Sequence, residues 1–262
     1  MKAEQIQENW DKLILIIDDT FVDTDTDERH TKLCQLYDDF KERMMFAPAS
    51  AKEHYHNAFP GGYVEHILHI IECAKRVHTQ WNEMGAHINY TKQELIFSAM
   101  HHDLGKVGDL ENDYYIPQKS EWHRINRGEI YTHNPELQYM SVPDRGMWLL
   151  NQYEIKVTEK EYIGMKLTDG LYDEANKKYF ISYNPDWQLR SNLPHVLHQA
   201  DMMATKLEYD NWKYSDEQKL DTAGKPVKVI NSYLTGKPKR TSLKKQQPSR
   251  NMEAFKELFG EK

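Results

Sequence analysis

Thr91 to Lys106 reads TKQELIFSAMHHDLGK, and this stretch decides the fold. Thr91, with Glu94 three residues on, is a reciprocal helix-start signal. It opens an apolar helix that runs to about Leu104, where Gly105 is placed to end it. At that end stand His102 and Asp103. Adjacent side chains leave a helix about 100° apart, so both can face one ion near the helix end. An imidazole and a carboxylate together offer the mixed nitrogen and oxygen ligation that suits first-row divalent metals. The alternative reading of these two residues is a polar surface pair.

Working outward, helical periodicity recurs. Residues 4–18 carry Ile6, Trp10, Leu13, Ile14 and Ile17 on one stripe, and His30 to Met45 carries Leu33, Leu36, Tyr37, Phe40 and Met44. A Pro-, Ser- and Gly-rich loop, APASAKEHYHNAFPGG, leads into a helix from Gly61 to about Trp81 with Val64, Ile67, Leu68, Ile71 and Ala74 buried. Beyond Gly105, Tyr114–Ile116 and Glu129–Tyr131 are expected to pair as a short hairpin. Asn134–Tyr153 and Glu159–Leu167 read as helices, Asp173–Arg190 as a long loop, and Leu193–Trp212 as a last strong helix. The expected fold is mostly α: one helical bundle with a short central hairpin insertion and a basic C-terminal extension. Its divisions are N-terminal helices at 1–45, a central domain at 46–213 and a tail at 214–262. In that tail Met252, Phe255, Leu258 and Phe259 suit a short helix.

Composition narrows the class. The chain has 262 residues, 34 Lys and Arg against 41 Asp and Glu, and a formal net charge of −7, which disfavours a uniformly basic nucleic-acid binder. No apolar run is long enough for a membrane span, and the start MKAEQIQENWDKL lacks the apolar core of a secretory signal. Two cysteines, Cys34 and Cys73, are too few for a disulfide framework, so reduced thiols and a cytoplasmic setting are expected. Charge is uneven: Lys225 to Arg250 holds eight Lys or Arg and no acid. Such a run is either a solubilising tail or a salt-sensitive phosphate-binding segment for RNA or DNA.

Two further residues join His102 and Asp103 as candidates. Asp201, in LPHVLHQADMMATKL, falls on the apolar face of the last helix, where a carboxylate needs a partner, either a metal ion or an Arg or Lys. His66, in GGYVEHILHI, lies beside the stripe of its own helix, as a ligand or as a hydrogen-bonded core residue. No Gly-x-Ser-x-Gly occurs and neither cysteine falls in a His-rich segment, so nothing points to a Ser or Cys nucleophile.

The order His66, then His102-Asp103-Leu104-Gly105-Lys106, then Asp201 resembles the H…HD…D signature of HD-domain metal-dependent phosphohydrolases. FAPASAKEHYHNAFPGGYVEH, HHDLGKV, GEIYTHNPE and HQADMMATKLE are similar, in that order, to segments of the HD-domain 3′–5′ exoribonuclease branch. The resemblance spans roughly Phe46 to Glu208. It implies His66, His102, Asp103 and Asp201 around one divalent ion (manganese, iron, cobalt or nickel, with magnesium as a further option). It implies His133, and Asp169 in place of a family histidine, extending the set to a second ion. Where related enzymes carry His-His-Gly this chain reads Thr168-Asp169-Gly170, and the roughly 45 residues before Phe46 are expected to be helical rather than the nucleic-acid-binding barrel of the branch.

The activity implied is hydrolysis of phosphoester or phosphoanhydride bonds of nucleotides or short oligonucleotides by a metal-activated water, with Asp103 and Lys106 at the reacting centre. Lys106 is the first candidate for phosphate contact. Lys52, His54 and His56 in the loop before the metal helix, and His123 and Arg124 in KSEWHRINR, are further candidates for substrate binding. The alternatives are a 3′–5′ exonuclease on RNA or single-stranded DNA, a di-iron oxygenase of the same fold, and a non-catalytic metal-binding module.

Overall fold

A computed structural model describes residues 1–214. The chain divides into two units, Met1–Tyr209 and Asp210–Lys262, the second described only as far as Tyr214. The expected basic extension and its short helix at 252–259 lie outside the described residues.

The first unit is mostly helical. In chain order it comprises α1 (Ala3–Thr20), α2 (Arg29–Asp39), α3 (Lys41–Phe46), α4 (Gly62–Glu83), α5 (Lys92–His101), β1 (Tyr115–Pro117), α6 (Glu121–Arg127), β2 (Tyr131–His133), α7 (Val142–Gln152), α8 (Glu159–Lys166) and α9 (Lys177–Phe180). Helix α10 (Leu193–Lys213) closes the series, beginning in this unit and ending beyond Tyr209. Helix α4 is buried on nearly every side over its first three turns, from Gly62 to Ile71, and α1, α3 and α5 pack against it. Each of Ile6, Trp10, Leu13 and Ile17 on α1 is buried, contributing about 1.5–3 kcal/mol apiece. On the other side α5 lies against α8, and α8 meets α10 through Gly164, where a Cβ would come within 2.9 Å of Leu197 Cδ1.

The expected helices form, with differences that have local causes. The segment from His30 to Met45 is two helices broken at Phe40. Asp38 and Asp39 fall in the last turn of α2, where the helix dipole disfavours negative charge. Helix α5 opens on Thr91 with both capping-box bonds to Glu94, as expected, but ends at His101 rather than Leu104. From Leu104 to Val107 the chain continues as a tight 3₁₀ turn. Gly105 is therefore not the terminator. Its role is close approach: a Cβ there would lie 2.1 Å from the Val142 carbonyl oxygen, so only glycine lets α7 rest on this turn.

The hairpin is present but shifted towards the C-terminus, pairing Tyr115 with His133, Ile116 with Thr132 and Pro117 with Tyr131. Between its strands α6 forms, capped by Ser120 and ended by Gly128 in the left-handed region. The helix expected from Asn134 starts only at Val142, where Ser141 caps it and Pro143 occupies its first turn. Inside the expected loop 173–190 lie one 3₁₀ turn at Glu174–Asn176 and the single-turn helix α9. No described helix is long and apolar enough to cross a membrane.

Candidate metal centre

Three parts of the chain converge on one point. His66 enters from the first turn of α4, His102 and Asp103 from the unwound end of α5, and Asp201 from the middle of α10. His66 Nε2 lies 3.7 Å from Asp103 Oδ2 and 3.7 Å from Asp201 Oδ1, and His102 Nε2 lies 3.5 Å from Asp103 Oδ2. Ligand atoms of His66, His102 and Asp201 fall within 4.8 Å of one another. A second set within the same limit joins His66 and Asp103 to His56. All four residues first singled out from the sequence thus come together in clusters able to hold a metal ion.

The donor atoms fit that role. His102 Nδ1 donates to the Ala99 carbonyl at 2.9 Å, which leaves Nε2 as the nitrogen that faces Asp103. That Nε2 is buried and has no hydrogen-bond partner, as is His56 Nε2. An unpartnered buried polar atom costs about 1–3 kcal/mol, a cost that a bound cation removes. His66 Nδ1 donates to Glu208 Oε2 at 2.9 Å, so its Nε2 lone pair is likewise free to face the carboxylates.

The carboxylates at this point and the cationic groups beside them set one another's charge. Burial pushes the His102 imidazole down, but Asp103 and then Asp201 override it and raise it to about 9. Asp103 is pushed up by burial yet held well below the usual carboxylate range by Lys106, His102 and His66. Lys106 Nζ donates to Asp103 Oδ2 at 2.6 Å and to the Ala49 carbonyl at 2.9 Å. His56 is held neutral by burial, and further by His66 and Lys106, down to about 3. A neutral imidazole is the ligating form.

The other expected residues are placed as follows. Asp169, after the Thr168 turn, keeps a solvent-exposed position. Burial, then Asp103 and Asp201, push its carboxyl up, and it stands outside both ligand sets. His133, exposed on β2, stacks its edge on Tyr114 and Tyr115 and also stands outside both sets. Lys52 pairs with Glu129 at 3.6 Å, and His54 packs on Tyr55. His123 bonds its own cap, Ser120, at 2.8 Å, and Arg124 is exposed on α6.

Sequence reasoning missed Glu208 and gave His56 a different role. Glu208 is two turns after Asp201 on the same face of α10, a spacing that pointed to it. It accepts from both His66 and His69, which stand three residues apart on α4 and share its carboxylate. Burial raises Glu208, but the two histidines bring it down to about 2. His56 sits in the loop after Ser50, whose hydroxyl donates to the His56 carbonyl at 2.7 Å. Gly62 lets that loop close, since a Cβ there would stand 2.0 Å from the Asn57 carbonyl oxygen.

Beside the centre a cavity of about 460 Å³ is lined by Lys106, Arg43, Tyr114, Tyr115 and Tyr131 among others. No family model, curated protein or solved structure matches the chain.

Proposed function

We propose that the chain is a metal-dependent phosphohydrolase of the HD-domain kind, acting on nucleotides or short oligonucleotides. The observation that carries this reading is the convergence of His66, His102, Asp103 and Asp201 from three separate helices, with the His102 Nε2 buried and unpartnered. His66, His102, Asp103 and Asp201 would hold the ion, with His56 as a further donor and Asp169 at the exposed edge. A divalent ion bound there supplies a water of lowered pKa and polarises a phosphoryl oxygen.

The remaining work falls to the chain's own side chains. Glu208 fixes the His66 tautomer, so that Nε2 and not Nδ1 faces the site. Lys106 uses two of its three N–H groups on Asp103 and Ala49, leaving one for a phosphoryl oxygen. The cavity next to Lys106 is within the ~300–1,000 Å³ range of small-molecule sites. Its tyrosines offer a base an aromatic surface, which favours a nucleotide over a simple phosphate ester.

The test is product release by purified, Mn²⁺-loaded protein. A mononucleotide panel is compared with a 5′-labelled single strand, and Asp103→Ala is the control. Hydrolysis of mononucleotides that Asp103→Ala abolishes supports the reading. A shortening ladder on the strand alone replaces it with an exonuclease. Silence on both with metal bound removes hydrolysis from the account, and oxygen consumption by the iron-loaded protein would then mark an oxygenase.

A further inference from the structure

A second group of ligating side chains lies away from this centre, at the junction of α1 and α2. Asp18 comes from the last turn of α1, and His30 and Cys34 are one turn apart on the same face of α2. His30 Nε2 is 2.9 Å from Asp18 Oδ1 and 3.6 Å from Cys34 Sγ, and all three ligand atoms lie within 4.8 Å of one another. We propose that Asp18, His30 and Cys34 form a second metal site, selective for a borderline-soft divalent ion such as zinc, that clips α1 to α2.

As the three side chains stand, His30 bonds directly to Asp18 and Cys34, at distances close to those that a shared ion requires. Bonds of ~2.0–2.3 Å in a tetrahedral site place neighbouring ligand atoms roughly 3.3–3.7 Å apart. The sulfur–nitrogen separation already falls in that range. The nitrogen–oxygen pair has to open by only about 0.4 Å, which a half-exposed Asp18 side chain can supply. The first turn of α2 is also held in place: Asp23 accepts from the Thr31 backbone N–H at 3.1 Å and from the Thr31 hydroxyl. His30 and Cys34 are therefore presented on an anchored turn.

Donor chemistry separates this site from the first one. The proposed hydrolytic centre offers only nitrogen and oxygen, whereas a thiolate here selects zinc over magnesium or manganese. Cys34 is partly buried, and burial, then Asp18, Asp38 and Asp23, hold its thiol in the protonated form. The same carboxylates make the position attractive to a dication. On binding, the Cys34 S–H bond breaks, sulfur keeps the electron pair and bonds the ion, and one proton leaves to solvent. His30 would bind through Nε2 and Asp18 through its carboxylate. Thiol-linked binding of this kind strengthens as pH rises.

Cobalt(II) reports on the site directly, because a cysteine ligand gives a thiolate-to-cobalt charge-transfer absorption in the near ultraviolet. The reduced full-length protein is titrated with Co²⁺. The expected result is a charge-transfer band that saturates at one equivalent of sites, survives in His66→Ala, disappears in Cys34→Ser and His30→Ala, and is displaced by Zn²⁺. No band in the wild type, a band unchanged in Cys34→Ser, or one lost in His66→Ala overturns the proposal. A second measurement on the wild type needs no variant to fold. Stoichiometric Zn²⁺ should slow alkylation of Cys34, read by peptide mapping, by roughly tenfold or more while leaving Cys73 unchanged. Equal slowing at both cysteines, or none, counts against the site.

Discussion

Glu208 and His66 are joined across two helices by a 2.9 Å hydrogen bond from imidazole Nδ1 to carboxylate Oε2. The bond is buried at both ends, with side-chain exposure of 1% for each residue. It does two things at once: it ties α10 to α4, and it fixes which His66 nitrogen faces Asp103 and Asp201. Removing it should act on metal affinity more than on the fold, because Gln can still accept one hydrogen bond. Glu208→Gln is expected to weaken Mn²⁺ binding about 10–100-fold, the usual effect of losing a carboxylate behind a ligating histidine. Calorimetric titration checks this, and unchanged affinity would remove Glu208 from the site.

The turn that carries Asp103 depends on a residue with no side chain. Gly105→Ala places a methyl group 2.1 Å from the Val142 carbonyl oxygen, so either the 3₁₀ turn or α7 has to move. The expected cost is about 1–3 kcal/mol, typical of overpacking. Metal affinity should fall with it, since Asp103 is two residues away. Urea denaturation and metal titration on the same variant test both effects, and a variant as stable as wild type contradicts the packing argument.

How much of this was legible in the sequence differs by element. Helices α1, α4, α5 and α10 were readable because each carries a long apolar stripe or a complete cap. Helix α6 was missed although Ser120 and Gly128 mark both its ends, because none of its residues is buried and the apolar signal is absent. The break at Phe40 was hidden for the opposite reason: the buried residues Leu33, Leu36, Tyr37, Phe40 and Met44 continue at helical spacing across it. His66, His102, Asp103 and Asp201 were found through their order in the chain. The clustering of His56 with two of them was not, because its position depends on a loop folded against Gly62, which no local pattern encodes.

Asp144 offers a pH test away from both sites. Hydrogen bonds from Lys166, at 2.6 Å, and then from Ser141 hold its carboxyl below the ordinary value of 3.8. A depressed acid stabilises the fold above its unfolded pKa, and that contribution fades as pH falls through the folded value. Asp144 is half-exposed, so the link it makes between α7 and α8 is worth at most ~1 kcal/mol. Asp144→Asn should therefore be slightly less stable than wild type at pH 6, with the gap closing at low pH. A gap that widens on acidification would reverse the assignment.

Arg29, the first residue of α2, links that helix to α8 and α5. Its guanidinium lies 2.8 Å from Glu161 Oε1, whose side chain is wholly buried, and 4.0 Å from the centroid of the Phe97 ring on α5. Burial raises the Glu161 carboxyl, and Arg29 is the first group to oppose it, with the Thr158 backbone N–H also donating to it. Arg29→Met keeps most of the volume over Phe97 but leaves a buried acid without its cation. Breaking such a pair from one side costs about 3–5 kcal/mol. Replacing both partners, Arg29→Met with Glu161→Gln, should recover part of that loss, because the stranded charge is gone and Gln can still reach Thr158. Denaturation of the two single variants and the double variant measures the coupling. Strictly additive losses would mean that Arg29 acts through its packing on Phe97 rather than through Glu161.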